Sequence, residues 1–329
     1  MNIDLLNGID PDQVFYFQQP HFGIIYSVVD GKVVVEHESI ASLKTYQLVV
    51  ANLSSEHWGR DTIDMVYNLL EDHSINFIML SHQLADHQAR PKLFFYPYWY
   101  RQSRHYHLET YTSQVVYDTC TYKVSCLNRI ARPHRIYNWL MLQKKAYAQD
   151  TLVTINNDVN VPPILSHIVL DPDTLSEWES VKYSIPDVSK NLGNQLKIFD
   201  ITHPAYSDSY INLVTETIVY PTLFVTEKTW KPIVAGQLFL VLGCQHIIGY
   251  LRDCGVDVFA DIIDHKYYDN ESDWQVRLTR IHSIIDDLVK QDLSAIYRET
   301  FTRRVANQTK YLKGDFGDPY TAIVTQQLI

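Results

Sequence analysis

The chain has 329 residues, 46% hydrophobic and 20% charged, a globular composition whose length suits two domains of roughly 150 residues each. The 11 glycines and 13 prolines argue against a low-complexity or disordered chain. Acidic residues outnumber basic ones 38 to 28, and the net charge of −10 disfavours DNA as a partner, although a local basic groove is compatible with an acidic protein.

β-rich runs at 22–28 (FGIIYSV), 46–53 (YQLVVANL), 75–80 (INFIML) and 92–96 (KLFFY) open the chain. Between the second and third, residues 61–72 place Ile63, Val66, Tyr67 and Leu70 at helical spacing. Strand, helix, strand in that rhythm predicts a parallel sheet covered by helices, and near-continuous apolar strands fit a sheet buried on both faces. A second series starts at 122–127 (YKVSCL), with a helix from about Pro133 to Ala148 and strands near 151–155, 210–214 and 238–242. Residues 157–205 show no clean period and read as an insertion or long connection. A helical tail over 273–312 carries an apolar stripe of Ile281, Ile284, Ile285, Leu288 and Val289. The expected fold class is therefore α/β, with a division near 115/116. Cys120, Cys126, Cys244 and Cys254 fall in no metal-ligand spacing and read as buried reduced thiols. MNIDLLNGIDPDQ lacks a basic stretch followed by an apolar one, and no run approaches the ~18–20 apolar residues of a membrane span. The expectation is a soluble cytoplasmic protein with no membrane span.

Four constellations carry chemistry. Thr226-Glu227-Lys228 opens a helix stopped by Gly236. Lys228 and Lys231 share one face near its N-terminus, where the helix dipole disfavours cations, so the segment is either an ordinary capped helix or a phosphate site. Glu216 ends a buried strand, where a carboxylate faces the ligand crevice of an open α/β sheet or is a solvated loop acid. Asn128-Arg129-Ile130-Ala131-Arg132-Pro133-His134-Arg135 sits at a strand-to-helix junction, suited to a diphosphate, a nucleic-acid patch or a solvated basic loop. Glu56 and His57 follow the second strand beside Trp58; either suits a general base, and the indole suits sugar stacking. The aromatic run at 94–107, with Tyr98 and Trp99, lines an acceptor groove or an interdomain contact. His82, Asp86 and His87 read as loop residues rather than metal ligands.

In order and character these segments resemble the α-1,3-fucosyltransferase family. The matching stretches are Val214-Thr215-Glu216-Thr217, Phe224-Val225-Thr226-Glu227-Lys228 and Phe239-Leu240-Val241-Leu242-Gly243, with Ser125, Asn128 and Arg135 upstream and Glu56 in the place of the family's catalytic acid. Thr217 stands where the family has Asn, Trp230-Lys231-Pro232 where it has Trp-Arg-Asn, and 157–205 has no counterpart, so donor sugar and base stay open. Segments like RPHR and EKTWKPI also occur in bacteriophage glycosyltransferases, which adds a bacteriophage-encoded relative to the readings.

The resemblance implies a GT-B fold: two Rossmann-like domains facing across a cleft, 1–115 binding acceptor and 116–329 binding the nucleotide-sugar. It implies an inverting transfer from a nucleotide-diphosphate sugar to an acceptor hydroxyl. Glu56 or His57 would be the base, and Asn128, Arg129, Arg135, Glu216, Thr226, Glu227 and Lys228 would bind donor, with Trp58, Tyr98 and Trp99 on the acceptor side. Cationic side chains replace a metal in that scheme, so no cofactor is expected. The acceptor is a glycan, a lipid-linked sugar, a small molecule or, as an alternative, hydroxymethylated phage DNA. A non-catalytic nucleotide- or carbohydrate-binding protein is the third reading.

Overall fold

The computed structural model describes residues 14–18, 26–29, 32–35, 41–52, 60–81, 92–95, 97–110, 115–128, 130–155, 170–182, 199–219 and 223–317. The chain divides into two compact units between Tyr98 and Trp99, earlier than the expected 115/116.

The first unit holds a parallel sheet in the order β1-β4-β5-β6, formed by Val14–Gln18, Leu48–Asn52, Phe77–Ser81 and Leu93–Phe95. Helix α1, Arg60–Asp72, connects β4 to β5. Its Ile63, Val66, Tyr67 and Leu70 pack with Val49, Ala51, Phe77 and Met79, as the helical spacing predicted. The run at 22–28 behaves differently. Within it only residues 26–28 are described as strand; they belong to β2 (Tyr26–Val29), which pairs antiparallel with β3 (Lys32–Val35) in a separate two-stranded sheet. The parallel neighbour of β4 is instead β1, whose register is Val14 on Leu48 to Gln18 on Asn52.

In the second unit four parallel strands run β10-β9-β7-β8: Leu238–Leu242, Ser209–Thr215, Tyr122–Leu127 and Thr151–Thr154. Every residue of β9 and β10 is buried, which explains the unbroken apolar run of β10, while β9 also buries Ser209, Asn212 and Thr215. Taken in chain order this is a 2-1-3-4 arrangement, half of a doubly wound sheet, in which the strand order reverses between β7 and β9. Around it lie α2 (Tyr98–Thr110), α3 (Pro133–Gln143), α4 (Pro172–Val181), α5 (Pro204–Ser207), α6 (Glu227–Ala235), α7 (Ile247–Asp253), α8 (Lys266–Asp269), α9 (Trp274–Leu288) and α10 (Leu293–Lys313).

Helix α2 explains why the division falls where it does. Arg104 Nε donates to the carbonyls of Tyr311 and Leu312 at the end of α10, and the Tyr100 ring lies 4.8 Å from that of Trp230. Its inward positions include Ser103 and His107, so the buried stripe is polar and gives no apolar period to read. Part of the unread region 157–205 is also ordered as helix. Asp171 caps α4 by accepting from Thr174 N at 2.9 Å, Pro172 takes the first helical turn, and the α4 residue Trp178 is buried beside Trp139. Asp171-Pro172-Asp173 is thus an Asp-x-Asp triplet whose first carboxylate serves as a helix cap. The tail at 273–312 is two helices, broken at Asp292, which caps α10 through Ala295 N.

Beneath the second sheet, Ser125, Ser209, Asn212 and Gln237 form a closed hydrogen-bond network. Its members are 0–4% exposed, and Ser125, Ser209 and Gln237 also donate to the Ala205 carbonyl. This network fixes β7 against β9 and so sets the geometry above it.

Candidate functional site

Register places the ends of the strands at one level. Glu216 N donates to Leu242 O at 2.8 Å, and Asn128 N donates to Thr154 O at 3.0 Å, so Asn128, Glu216 and Gly243 follow β7, β9 and β10 side by side. This is the C-terminal edge at the reversal of strand order, the position where open α/β sheets hold ligands. The N-terminus of α3 and the backbone entering α6 come to the same edge.

Glu216 is fully buried, and its carboxylate is saturated by four donors. Oε1 accepts from Thr226 N at 2.9 Å and Thr229 Oγ1 at 2.7 Å; Oε2 accepts from Thr226 Oγ1 at 2.7 Å and Thr217 N at 3.1 Å. The side chain therefore ties the end of β9 to the first turn of α6. Thr226 caps that helix, its Oγ1 accepting from Lys228 N at 3.4 Å, and Gly236 ends it at φ +68°. A Cβ at Gly236 would meet Val115 at 2.7 Å, so glycine is required there for both conformation and space.

Lys228 reaches back over the turn it belongs to. Its Nζ donates to Glu227 Oε1 at 2.9 Å, Thr226 Oγ1 at 3.1 Å and Thr217 Oγ1 at 3.3 Å, with 27% of the side chain exposed. Burial pushes the Glu227 carboxyl up, but Lys228 and Lys231 outweigh that effect and hold it below the usual range. The ammonium of Lys231 stands 5.6 Å over the Tyr206 ring.

Residues 130–135 supply two more cations. Arg135, 2% exposed, donates from Nη2 to the carbonyls of Thr215 and Glu216, each at 3.2 Å, and from Nη1 to Ile130 O. Burial and the neighbouring Arg132 pull its pKa down to about 10. Arg132, half-buried, donates to the Thr217 carbonyl. Between them His134 donates from Nε2 to Glu216 O at 2.9 Å, and burial holds it well below the usual histidine range, hence neutral. From α9, Arg277 reaches Val219 O at 2.7 Å and Gly243 O at 2.8 Å. Its sequence position gave no signal, because an arginine one turn into an amphipathic helix looks like any solvated charge.

The cations Arg132, Arg135, Lys228 and Arg277 thus gather at this edge, with Lys231 one turn along α6, against the carboxylates Glu216 and Glu227. The arginines are paired with backbone carbonyls rather than with acids. Positive charge in excess of negative, held on fixed partners in a low-dielectric crevice, is the electrostatic character of an anion site.

Of the residues predicted from sequence, Asn128, Arg135, Glu216, Thr226, Glu227 and Lys228 are brought together here. Asn128 is buried and bonds Cys126 Sγ and Thr215 Oγ1, a role in holding β7 to β9. Trp99 lies elsewhere, on α2 with its ring 6.1 Å from Phe199. Glu56, His57, Trp58 and Arg129 lie outside the described residues, as does the side chain of Tyr98. His82, Asp86 and His87 do too; among the described residues no group of three or more His, Cys, Asp or Glu is placed to hold a metal ion. The free thiols of Cys126, Cys244 and Cys254 are buried, whereas Cys120 is half-buried. No helix among the described residues is long and apolar enough to cross a membrane.

No family model, curated protein or solved structure matches the chain.

Proposed function

We propose that the second unit binds a nucleoside diphosphate at the β7/β9 edge and that the protein is a glycosyltransferase using a nucleotide-diphosphate sugar. The observation that carries this reading is the excess of cations at the point where the strand order reverses, beside the N-terminus of α6. Phosphate suits all three features: fixed cations, the positive end of the α6 dipole and the crevice beyond parallel strands. In this reading Lys228 contacts phosphate, and the Glu216 network holds Lys228 and the α6 turn in place. Arg135 acts from behind, adding positive potential through the strand ends it braces.

The resemblance to α-1,3-fucosyltransferases supplies the reaction: attack of an acceptor hydroxyl on the anomeric carbon, departure of the nucleoside diphosphate and inversion. Charge growing on the leaving diphosphate is what the cations stabilise. Glu56 or His57, following β4 in the first unit, is the proposed base that takes the hydroxyl proton. Trp58, Tyr98 and Trp99 are proposed for the acceptor and Arg129 for the donor, with Asn128 holding β7 to β9. The GT-B description of the two α/β units belongs to this proposal, and so do its metal independence, the cytoplasmic location and a bacteriophage source. A glycan or small-molecule acceptor is favoured over hydroxymethylated DNA by the net charge of −10.

Lys228→Ala is expected to weaken nucleoside diphosphate binding by about 1–3 kcal/mol, the worth of a charge-assisted hydrogen bond, as read by calorimetry. An unchanged affinity would remove Lys228 from the site. For the acceptor, a gel shift with duplex DNA across a salt series separates the classes: tight binding that weakens steeply with salt would favour DNA.

A further inference from the structure

The two lysines of α6 differ in their surroundings. Lys228 is already paired, with Glu227, Thr226 and Thr217 all within hydrogen-bond distance of its amine. Lys231 lies one turn further along, about 4.5 Å by the rise of the helix. Its half-buried amine has no hydrogen bond and no carboxylate within 4.0 Å among the described residues; its neighbour is the face of the buried Tyr206 ring on α5. An ammonium drawn out of water without an acid partner is costly, and a π face compensates only in part.

We propose that Lys231 is the second anion ligand of the α6 site: a diphosphate held by Lys228 takes a further contact from the Lys231 amine, which the protein leaves unpaired for it. This rests on the nucleoside diphosphate reading above and adds to it a residue and a pH dependence. Burial pulls the Lys231 pKa down to about 8, with Glu227 and Asp200 opposing and Lys228 assisting. An anion beside the amine favours its charged form, so binding takes up a proton above pH 8 and affinity falls as pH rises through that value.

Four of the groups around Lys231 keep one protonation state in this window. On α6, Glu227 is held below its usual range. On α2, burial pulls His107 down to about 4, and before α5 it also lowers His203. Burial raises the Tyr206 phenol far above its usual value. Asp200 and Lys228 complete the charged groups that face it.

The experiment is a calorimetric titration of wild type, Lys231→Arg and Lys231→Ala with nucleoside diphosphates at pH 7.5 and pH 9.0, where the diphosphate charge is constant. Wild-type affinity should fall roughly eightfold between the two, the change in the protonated fraction of a group titrating near 8. Lys231→Arg, which keeps its charge, should bind with little change over the same interval. Lys231→Ala should bind weakly at both. A pH dependence that survives in Lys231→Arg, or full affinity in Lys231→Ala, overturns the inference while leaving the nucleotide site standing. Absence of binding in wild type at pH 7.5 overturns the nucleotide reading and the inference with it. A thermal melt of each variant confirms the fold.

Discussion

Glu216→Ala should destabilise the protein by about 3–5 kcal/mol, because several buried donors lose their acceptor together at about 1–3 kcal/mol for each one left unsatisfied. The magnitude follows from what remains. The carboxylate accepts from the amides of Thr217 and Thr226 and from the hydroxyls of Thr226 and Thr229, all at 2.7–3.1 Å, in a place with no solvent exposure. The hydroxyls can rotate toward other acceptors, but the buried Thr226 amide is fixed by the backbone and loses its acceptor outright. Glu216→Gln should cost less, about 1–3 kcal/mol, because one oxygen and its two donors survive while the new NH2 faces a donor. Chemical denaturation reads both. A loss under about 1 kcal/mol in Glu216→Ala would mean that the strand end and the α6 turn are not joined through this carboxylate. Since the same join positions Lys228, the alanine variant should also bind nucleoside diphosphate more weakly where it remains folded.

Stability should also fall steeply between about pH 6.5 and pH 4. His107, His265 and His282 are 1–4% exposed, and burial pulls each down to about 4. Their Nε2 atoms are committed to Phe199 O, Val258 O and Asn138 Oδ1. Unfolded histidine takes a proton near 6.5, so above that pH neither state is charged and the full stability is present. As pH drops the unfolded chain binds protons that the folded chain refuses, until the folded groups titrate near 4. Each histidine then removes on the order of 3 kcal/mol at full extent. His134, held well below the usual range, acts in the same direction. Thermal melts at intervals from pH 7 to 4.5 should show a continuous loss of Tm, whereas a flat profile would mean that these imidazoles are not buried neutral.

Legibility of the fold varied with what lay on the buried face. Helix α1 and strands β4, β5, β9 and β10 were readable because apolar residues carry their inward positions. Helix α2 was not, since Ser103 and His107 occupy its buried stripe and bond Tyr311. Nor was the antiparallel hairpin at Tyr26–Val29 and Lys32–Val35, because an apolar run does not state the direction of its partner. At the site, Thr226, Gly236 and the Lys228–Lys231 spacing were legible from cap chemistry and helical period. The use made of Glu216 was not. A carboxylate after a strand offers two futures, gripping a ligand or gripping its own backbone, and only the placement of Thr217, Thr226 and Thr229 decides that its lone pairs are taken. Arg135 is similar: as a sequence feature it is a free cation, yet three carbonyls hold it in place.

Binding of a nucleoside diphosphate to the second unit, at the β7/β9 edge through Lys228, is the central proposal. Thermal-shift titration of wild type and Lys228→Ala against GDP, UDP, CDP and dTDP tests it directly. Ligand at about a hundred times its Kd adds roughly 2.7 kcal/mol, or about 5–11 °C in a unit of this size. One base should stand out in wild type, and its shift should be largely lost in Lys228→Ala. No shift from any of the four at millimolar ligand, or an equal shift in the variant, would contradict it.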